Sequence, residues 1–323
     1  MSKDAPKVLI HNDKPERYVA ALKDAVPEAE VITHDSYEGM EEVLKETQPD
    51  AMYSIRFGGT YGFPTEAVLG PYGPEWISVG GSGCDHLGSW NTSRTTVTNS
   101  AGVASELMSE FAFGCALHFT LNVPQFQADK ANRTWKYRYM VPLRGKTLLV
   151  VGLGHTGQAV AAKGKAFGMT VLGTRARPTE MENVDEVHPA TALPDLWPRA
   201  DMIVVSVPLL DSTKGLISAP DFAAMKDSAI LIDVSRGGVI VGNDLLTALH
   251  TGQIAGAGLD VFELEPLLED SPFWDAPNAI ISPHSSAIFS GWGMVSFEMF
   301  LDNLKRWQAG EPLLNVVNPA RGY

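Results

Sequence analysis

Short apolar runs alternate with segments of helical pattern over the first hundred residues. The runs are rich in aliphatic and β-branched residues, as buried strands are, and they cover residues 7–11, 31–33, 51–57, 76–79 and 95–98. Residues 15–25 and 37–46 lie between runs and predict helices, the first of them opening at a proline, whose missing N–H costs nothing at a helix start. This alternation predicts a small doubly wound α/β domain.

A second series of apolar runs follows a long apolar helix predicted over residues 105–121. These runs are almost continuously apolar, which is typical of parallel strands buried on both faces, and they cover residues 147–151, 169–172, 201–207, 229–234, 257–262 and 279–282. A helix predicted at 158–167 joins the first two runs into a βαβ unit, and the last predicted helix, 291–308, is expected to return to the first domain. We therefore expect two doubly wound parallel-sheet domains, one formed by residues 1–100 and 287–323 and the other by residues 101–286.

The sequence Gly152-Leu153-Gly154-His155-Thr156-Gly157 stands between the strand and the helix of the βαβ unit. Gly152 allows a tight turn, Gly154 lets the backbone approach a pyrophosphate, and Gly157 lets helix and strand pack closely. The free amides and the dipole at the helix start favour an anion there. Strand, loop, helix and second strand occur in the order that a dinucleotide site requires, so the pattern predicts dinucleotide binding.

Composition narrows the class of protein. The chain has 323 residues, of which 45% are hydrophobic and 20% charged, and a net charge of −13 without any basic stripe, which argues against nucleic acid as a partner. No apolar run is long enough to span a bilayer, and the first residues carry no signal-peptide pattern. The only cysteines, Cys84 and Cys115, imply no disulfide framework, so we expect a cytoplasmic protein.

Chemically active side chains follow several of the predicted strands. Arg236, Glu265 and His284 each stand just beyond an apolar run of the second domain, and ligands of an open parallel sheet bind beyond these carboxyl ends. Each of the three alone is better explained as an ion-paired, loop or hydrogen-bonded structural residue, but the three together at matching strand ends favour a site.

Two features of the first domain are candidate anion contacts. Ser82 and Gly83 open a glycine-containing turn after a strand, where backbone amides can hold a carboxylate, and the Cys and His that follow complete neither a nucleophilic nor a metal-binding set. We therefore expect no metal. Arg56 ends its own predicted strand and is as well explained as a surface arginine.

Four motifs together resemble the D-isomer-specific 2-hydroxyacid dehydrogenases, and most of all their glyoxylate/hydroxypyruvate reductase branch. They are the glycine motif at 152–157, Asp233-Val234-Ser235-Arg236-Gly237-Gly238, Gly258-Leu259-Asp260-Val261-Phe262-Glu263-Leu264-Glu265-Pro266, and Ser282-Pro283-His284. Their order and spacing agree with the family over nearly the whole chain. The resemblance implies a Rossmann cofactor domain inserted into a flavodoxin-like substrate domain.

The resemblance also implies roles for these residues in reducing a small 2-keto acid to the D-2-hydroxy acid. Arg236 would hold the substrate carboxylate, His284 would be the general acid, and Glu265 would be its partner. Substrate contacts would come from Arg56, Ser82, Gly83 and Trp135, the last in a polar segment, 124–138, that in the family reaches across a homodimer interface. Cofactor contacts would come from Gly152, Gly154, His155, Thr156, Gly157, Thr174, Arg175, Arg177, Val207, Pro208, Thr213, Val234, Ser235, Asp260 and Ser286.

The residues after the second strand of the βαβ unit indicate which cofactor is used. An NAD-binding unit carries an acid there for the ribose 2′-hydroxyl. Here the strand runs into Gly173-Thr174-Arg175-Ala176-Arg177, with no Asp or Glu before Glu180. Two arginines and a hydroxyl can bind a 2′-phosphate, so the sequence predicts NADPH in preference to NADH.

The chain departs from the family after His284, and other functions share the fold. Ser285-Ser286-Ala287 replaces a glycine pair, and residues 288–292 carry no charge, which favours a substrate with an apolar or uncharged polar side chain. A dinucleotide-sensing scaffold resembling transcriptional corepressors is the alternative from another class, although it does not need the Arg-Glu-His set. Formate or phosphite dehydrogenase is a further alternative, but formate-oxidising relatives lack an acid at the position of Glu265.

Overall fold

A computed structural model describes residues 5–55 and 62–319 of the protein. These residues form twelve strands: β1 Lys7–His11, β2 Glu30–His34, β3 Ala51–Ser54, β4 Trp76–Val79, β5 Thr96–Asn99, β6 Thr147–Val151, β7 Thr170–Thr174, β8 Glu186–His188, β9 Met202–Val205, β10 Ile230–Asp233, β11 Gly256–Leu259 and β12 Ala279–Ile281. They also form ten α-helices: α1 Glu16–Ala25, α2 Met40–Thr47, α3 Thr65–Val68, α4 Ser105–Thr120, α5 Val123–Ala131, α6 His155–Ala166, α7 Leu193–Leu196, α8 Ala219–Ala224, α9 Gly242–Thr251 and α10 Trp292–Ala309.

The chain divides into two compact units. One is built from Met1–Val103 together with Phe289–Tyr323, and the other from Ala104–Ile288. The second unit is therefore an insertion in the chain of the first. Within the described ranges, no helix is long and apolar enough to cross a membrane.

The first unit is a five-stranded parallel sheet in the order β2-β1-β3-β4-β5, the flavodoxin-like order. Its central strands are buried because they are covered on both faces. Helix α10 covers one face with Phe297, Phe300 and Leu304, all at most 1% exposed. The ring of Trp76 on β4 stacks on Phe300, with 5.0 Å between ring centroids, so the carboxyl-terminal helix completes the core of this unit.

The second unit is a seven-stranded sheet in the order β12-β11-β10-β9-β6-β7-β8, in which neighbouring strands are parallel. This is the doubly wound order of dinucleotide-binding domains with one more strand at the β12 end. Side chains alternate along each strand between two apolar clusters. One cluster includes residues of α7, α8 and α9, and the other includes residues of α4 and α6. The predicted fold class, two doubly wound parallel-sheet domains with a Rossmann domain inserted into a flavodoxin-like one, is confirmed.

Several predicted element bounds were wrong. Helix α6 begins at His155, inside the glycine motif and three residues before the predicted start, because Gly157 is small enough to lie in the first turn against β6. The polar segment 124–138, for which no helix was predicted, begins within helix α5, whose second residue is Pro124. Helix α2 begins three residues later than predicted, after Gly39 in a left-handed conformation.

Candidate active site

The side chains of His284 and Glu265 form a hydrogen-bonded pair beyond the carboxyl ends of β11 and β12. Nδ1 of His284 lies 2.8 Å from Oε2 of Glu265, and the two side chains are 41% and 34% exposed. The other carboxylate oxygen of Glu265 accepts a hydrogen bond of 3.0 Å from the amide of Phe262. One oxygen is thereby fixed by the backbone, and the other orients the imidazole ring.

The charge state of Glu265 follows from these contacts. Partial burial alone would raise the pKa of Glu265, but the hydrogen bonds from His284 and from the amide of Phe262, with the charges of His284 and Arg236, outweigh it and lower the pKa below its ordinary value. Glu265 is therefore a carboxylate at neutral pH. The guanidinium of Arg236 donates to the carbonyl of Ser235 at 2.8 Å, which keeps it at the start of its loop. The structure thus brings Arg236, Glu265 and His284 together within the second unit.

Asp260 holds the loop that carries His284. The backbone of His284 is in a left-handed conformation, with φ of 52°, which costs free energy for a residue other than glycine and needs support from its surroundings. Its amide donates to the carbonyl of Asp260 at 2.9 Å. The buried carboxylate of Asp260 accepts from the hydroxyls of Ser282 and Ser286, at 2.6 and 2.5 Å, and from the amides of Ser285 and Ser286.

A second buried carboxylate, Asp233, organises the loop after β10. Its Oδ1 accepts hydrogen bonds from the amide and the hydroxyl of Ser235, at 2.9 and 2.5 Å. Burial raises the pKa of Asp233 to about 7, and the nearby Asp260 adds to this effect, whereas the bonds from Ser235 and the charge of Arg236 oppose it. The following residue, Val234, is buried in the cluster beneath α4 and α6. Ser235 and Val234, predicted as cofactor contacts, therefore also shape the turn that presents Arg236.

The glycine loop leaves open space beside Gly154, whereas Gly152 and Gly157 are closely packed against neighbouring atoms. Gly152 has φ of 103°, and a Cβ there would lie 2.7 Å from Cγ1 of Val207. A Cβ on Gly157 would overlap the carbonyl oxygen of Gly152, whereas one on Gly154 would meet no atom within 4 Å. No side chain caps helix α6, and its first-turn amides, from His155 onward, are the ones that a helix leaves without internal partners. These features fit the phosphates of a dinucleotide.

Residues 207–213 form a tight connection after β9. The hydroxyl of Thr213 donates to the carbonyl of Pro208 at 2.6 Å and accepts from the amide of Leu210 at 2.8 Å. Val207 lies against Gly152, as described above. Thr156, in the first turn of α6, faces the sulfur of Met108 at 3.5 Å. These residues lie at the switch point between β6 and β9, where the strand order reverses and where ligands of such sheets bind.

Strand β7 ends at Thr174, two residues later than predicted, and its hydroxyl accepts a hydrogen bond of 3.2 Å from the amide of Gly152. Thr174 thus stands where an NAD-binding unit would carry an acid. Arg175 and Arg177 follow and are exposed, with Nη1 of Arg175 at 3.5 Å from the sulfur of Met181. The end of β7 is therefore cationic.

A charged cluster formed by Glu186 and His188 of β8 together with Arg199 was not predicted from the sequence. Arg199 donates two hydrogen bonds to the carboxylate of Glu186, at 2.6 and 3.0 Å, and Nε2 of His188 lies 3.0 Å from the same carboxylate. These bonds lower the pKa of Glu186 to about 2. The strand has only three residues and no run of apolar side chains, so its pattern gave no signal.

The predicted substrate contacts of the first unit are only partly described. Ser82 is exposed, and its carbonyl accepts a hydrogen bond of 2.7 Å from the side chain of Asn99, which ties the turn to β5. Gly83 follows in the same turn. Arg56 lies outside the described residues. Cys115 is buried on α4, where burial raises the pKa of its thiol to about 12, so it is not a nucleophile.

Trp135 belongs to an aromatic arm that we define as residues 133–141. Trp135, Tyr137 and Tyr139 are 94%, 93% and 96% exposed, and Arg138 of the arm is bound to Asp129 of α5 by two hydrogen bonds. Aromatic side chains this exposed are costly in water.

In the described part of the chain, no three His, Cys, Asp or Glu side chains come together as a metal site.

Comparison with known proteins identifies the family. A family model described as the NAD binding domain of D-isomer specific 2-hydroxyacid dehydrogenase matches residues 113–286, more than half of the chain. The chain belongs to this family. As a D-2-hydroxyacid dehydrogenase it is an oxidoreductase that depends on a nicotinamide dinucleotide, which confirms the resemblance seen in its four motifs.

Relatives of this dehydrogenase cover most of its length. A glyoxylate reductase of Korarchaeum cryptofilum is 35% identical over 231 residues, which are 69% of this chain and 69% of that protein. A family member from Aeromonas salmonicida has a crystal structure with a TM-score of 0.84 and 32% identity, covering 97% of this chain and 99% of that one. A D-isomer specific 2-hydroxyacid dehydrogenase from Xanthobacter autotrophicus, solved with NADPH and MES, has a TM-score of 0.82 and 30% identity, covering 99% of this chain and all of that one.

Proposed function

We propose that this dehydrogenase reduces a small 2-keto acid of the glyoxylate or hydroxypyruvate type to the D-2-hydroxy acid, with NADPH as the reductant. The observation that carries the proposal is the pairing of His284 with Glu265, with Arg236 close enough to influence the charge of that carboxylate. The similarity to a glyoxylate reductase supports the substrate class.

His284 is the proposed general acid. Hydride addition to C2 of a keto acid builds negative charge on the keto oxygen, and bound NADPH supplies that hydride. An imidazolium within hydrogen-bonding distance of the oxygen neutralises the charge by giving up its proton from Nε2. Because Glu265 is ionised and bonded to Nδ1, it fixes the orientation of the ring and leaves Nε2 to turn to the substrate.

Arg236 is the proposed contact for the substrate carboxylate. A guanidinium is planar and always charged, so it can hold a carboxylate at two points and polarise the neighbouring keto oxygen. The backbone amides of Ser82 and Gly83 are proposed to share that carboxylate. Arg56 and Trp135 stay proposed contacts on the strength of the family resemblance. The uncharged loop after His284 favours a substrate whose own side chain is either apolar or polar without a charge.

The glycine loop and the end of β7 are the proposed cofactor site. The open space at Gly154 and the uncapped start of α6 suit a pyrophosphate, and Thr174, Arg175 and Arg177 suit a 2′-phosphate better than a ribose hydroxyl. The solved relative with bound NADPH supports this choice. The predicted cofactor contacts of His155, Thr156, Val207, Pro208, Thr213, Val234 and Ser235 stay proposals on the same basis.

Asp260 and Ser286 have a proposed structural role beside the predicted contact with the cofactor. Both carboxylate oxygens of Asp260 are already used by the loop at 282–286. We infer that the carboxylate acts mainly as a positioning group for His284, and that a nicotinamide contact would be made in addition to these bonds.

We propose a homodimer in which the aromatic arm is covered by the second copy. The support is the near-complete exposure of three aromatic side chains in one segment, together with the family resemblance. We also propose that the protein acts in the cytoplasm, where its two buried cysteines would stay reduced.

A panel assay tests the proposed reaction. Oxidation of NADPH at 340 nm would be followed with glyoxylate, hydroxypyruvate, pyruvate, phenylpyruvate and longer 2-keto acids, using His284→Ala as the matched blank. We expect turnover with at least one of these acids and a product of D configuration on a chiral column. Absence of turnover with all of them, in protein that binds NADPH, would contradict the proposal.

A further inference from the structure

Strands β7 and β8 end side by side at the edge of the sheet where the adenosine end of the cofactor is proposed to bind. Thr174 and His188, the last residues of these strands, are partners in the parallel register. The amide of Arg175 donates a hydrogen bond of 2.9 Å to the carbonyl of His188. Adjacent strands are about 4.8 Å apart, so His188 stands next to the cationic end of β7.

The imidazole of His188 is held on one side only. Its Nε2 lies 3.0 Å from the carboxylate of Glu186, two residues earlier on the same face of β8. Its Nδ1 has no hydrogen-bond partner among the described residues. The side chain is 29% exposed, so a ligand at this edge can reach it.

Glu186 stays ionised but does not present a bare negative charge. Arg199 binds both of its oxygens, and the bonds from Arg199 and His188 lower the pKa of Glu186 to about 2. An imidazole with a proton on each nitrogen can donate from one nitrogen to a carboxylate and from the other to a bound anion. In that form Nδ1 is also a donor and can bind an anion.

We propose that His188, oriented by Glu186, is a third cationic contact for the 2′-phosphate of NADP(H), beside Arg175 and Arg177. This inference rests on the proposed preference for NADPH. Glu186 is a positioning residue, because it acts through the imidazole, and Arg199 offsets the charge that Glu186 would otherwise direct at a phosphate. The exposed acids Glu180 and Glu182 on the connection between β7 and β8 repel a phosphate, and a further cation at this edge would offset that repulsion.

The alternative is that Glu186 and His188 of β8 form an ordinary surface ion-pair cluster with Arg199. The two interpretations differ in the sign of one effect. If Glu186 merely lies near the phosphate, replacing it with glutamine removes a repulsion and tightens binding. If His188 bridges Glu186 and the phosphate, the same substitution weakens binding, because the ring loses the charged partner that holds and orients it.

Titration calorimetry with adenosine 2′,5′-bisphosphate and with 5′-AMP tests the proposal, since these ligands differ only in the 2′-phosphate. His188→Leu is expected to weaken binding of the bisphosphate about tenfold, the effect of one charged hydrogen bond, and to leave 5′-AMP unchanged. His250→Leu, at an exposed histidine of α9 in the same unit, is the matched control and should change neither affinity.

Glu186→Gln supplies the second measurement. We expect weaker binding of the bisphosphate with unchanged 5′-AMP affinity, and a thermal unfolding midpoint would show that the fold persists. Tighter or unchanged binding of the bisphosphate, or a His188→Leu variant with wild-type affinity, would overturn the role of His188. A variant that does not fold would be replaced by Glu186→Asp, which keeps the charge but shortens its reach and is expected to weaken bisphosphate binding.

The same titrations separate this inference from the proposal on which it rests. A wild-type protein that binds the bisphosphate no more tightly than 5′-AMP would contradict the preference for NADPH itself. A wild-type preference that disappears in the Arg175→Ala, Arg177→Ala double variant but not in His188→Leu would leave the NADPH preference standing and overturn only the third contact.

Discussion

His284 and Glu265 are 19 positions apart in the chain, yet Nδ1 of one lies 2.8 Å from Oε2 of the other. The approach depends on two loops that begin at the ends of neighbouring strands, β11 and β12. The backbone of Phe262 fixes Glu265, and the carboxylate of Asp260 fixes the loop of His284. The pair therefore forms because two neighbouring parallel strands end at the same edge of the sheet and the loops that follow them bring the two side chains together.

Replacement of His284 by alanine is expected to lower kcat for keto-acid reduction by about a hundredfold or more, because the general acid is lost. Affinity for NADPH should stay within about twofold of the wild-type value. Steady-state kinetics with a saturating keto acid, together with fluorescence titration of NADPH, would measure both quantities. A kcat within about threefold of wild type would show that another group supplies the proton.

Replacement of Glu265 by glutamine is expected to move the pH profile of the reaction. Keto-acid reduction consumes a proton, so in the wild-type protein the reaction should decline at high pH. The attraction to His284 that lowers the pKa of Glu265 is lost in the glutamine variant, so the decline should begin at a lower pH. The measurement is kcat/KM from pH 5 to pH 9.

The control for the pH profile is Glu263→Gln, which removes an exposed acid two residues away. Its profile should overlay that of the wild-type protein. The pKa of Glu265 is lowered in the folded protein, so its pair with His284 stabilises the fold fully above the ordinary pKa of a glutamate. This stabilisation is lost as the pH falls through the lowered pKa of Glu265. An alkaline limb that is the same in wild type and Glu265→Gln would refute the pairing.

Combined replacement of Arg175 and Arg177 by alanine is expected to weaken NADPH binding by about 2–4 kcal/mol, the usual worth of two charged contacts. NADH binding should hardly change, since NADH carries no 2′-phosphate. Dissociation constants for both cofactors, measured by quenching of tryptophan fluorescence, would give the difference. Equal losses for NADPH and NADH would mean that the arginines support the fold of the loop rather than the phosphate.

Replacement of Trp135 by alanine is expected to change substrate preference more than cofactor affinity, if the arm reaches the pocket of a second copy. Light scattering of the wild-type protein should give the mass of a dimer. Trp274→Ala, at a 54% exposed tryptophan elsewhere in the same unit, is the matched control and should leave substrate preference unchanged. Scattering that shows only monomer under assay conditions would exclude a role across an interface.

Replacement of Asp233 by asparagine is expected to reduce the pH dependence of stability. The native pKa of Asp233 is raised to about 7, so between about pH 4 and pH 7 the native state retains a proton that the unfolded state has released. This group therefore makes the wild-type protein less stable as the pH rises through that window. Asparagine carries no such penalty and keeps an oxygen for Ser235.

Urea unfolding at pH 5 and pH 8 would measure the effect of Asp233. The decrease in unfolding free energy from pH 5 to pH 8 should be smaller in Asp233→Asn than in the wild-type protein, whereas Asp227→Asn, at an exposed position, should behave like the wild type. An identical decrease in wild type and Asp233→Asn would show that native Asp233 does not retain a proton that the unfolded state has released.

The sequence predicts the sheets well because their strands are nearly continuous apolar runs. The runs that became β6, β9 and β10 are buried on both faces, and such runs leave little choice of structure. Short elements carry little pattern. Strand β8 has three residues, so it was not predicted, and α8 was missed although the capping box formed by Ser218 and Asp221 marks its start.

The sequence places Arg236, Glu265 and His284 at strand ends, but it does not show how they are held. The left-handed backbone of His284 and the five bonds donated by the serines to Asp260 arise from loops that no periodicity describes. The absence of an acid after β7 can be read from the sequence. The approach of Glu186 to His188 and Arg199 cannot, because it depends on how β8 and the turn carrying Arg199 pack.

Transfer of labelled hydride tests the central proposal most directly. The wild-type protein would be incubated with NADPH deuterated at both C4 positions and with the keto acid that turns over best in the panel. We expect one deuterium at C2 of a D-2-hydroxy acid, detected by mass spectrometry after chiral separation, and about a hundredfold less of this product with His284→Ala over the same period. A product without deuterium at C2, or no product from protein that binds NADPH, would contradict the proposed reduction.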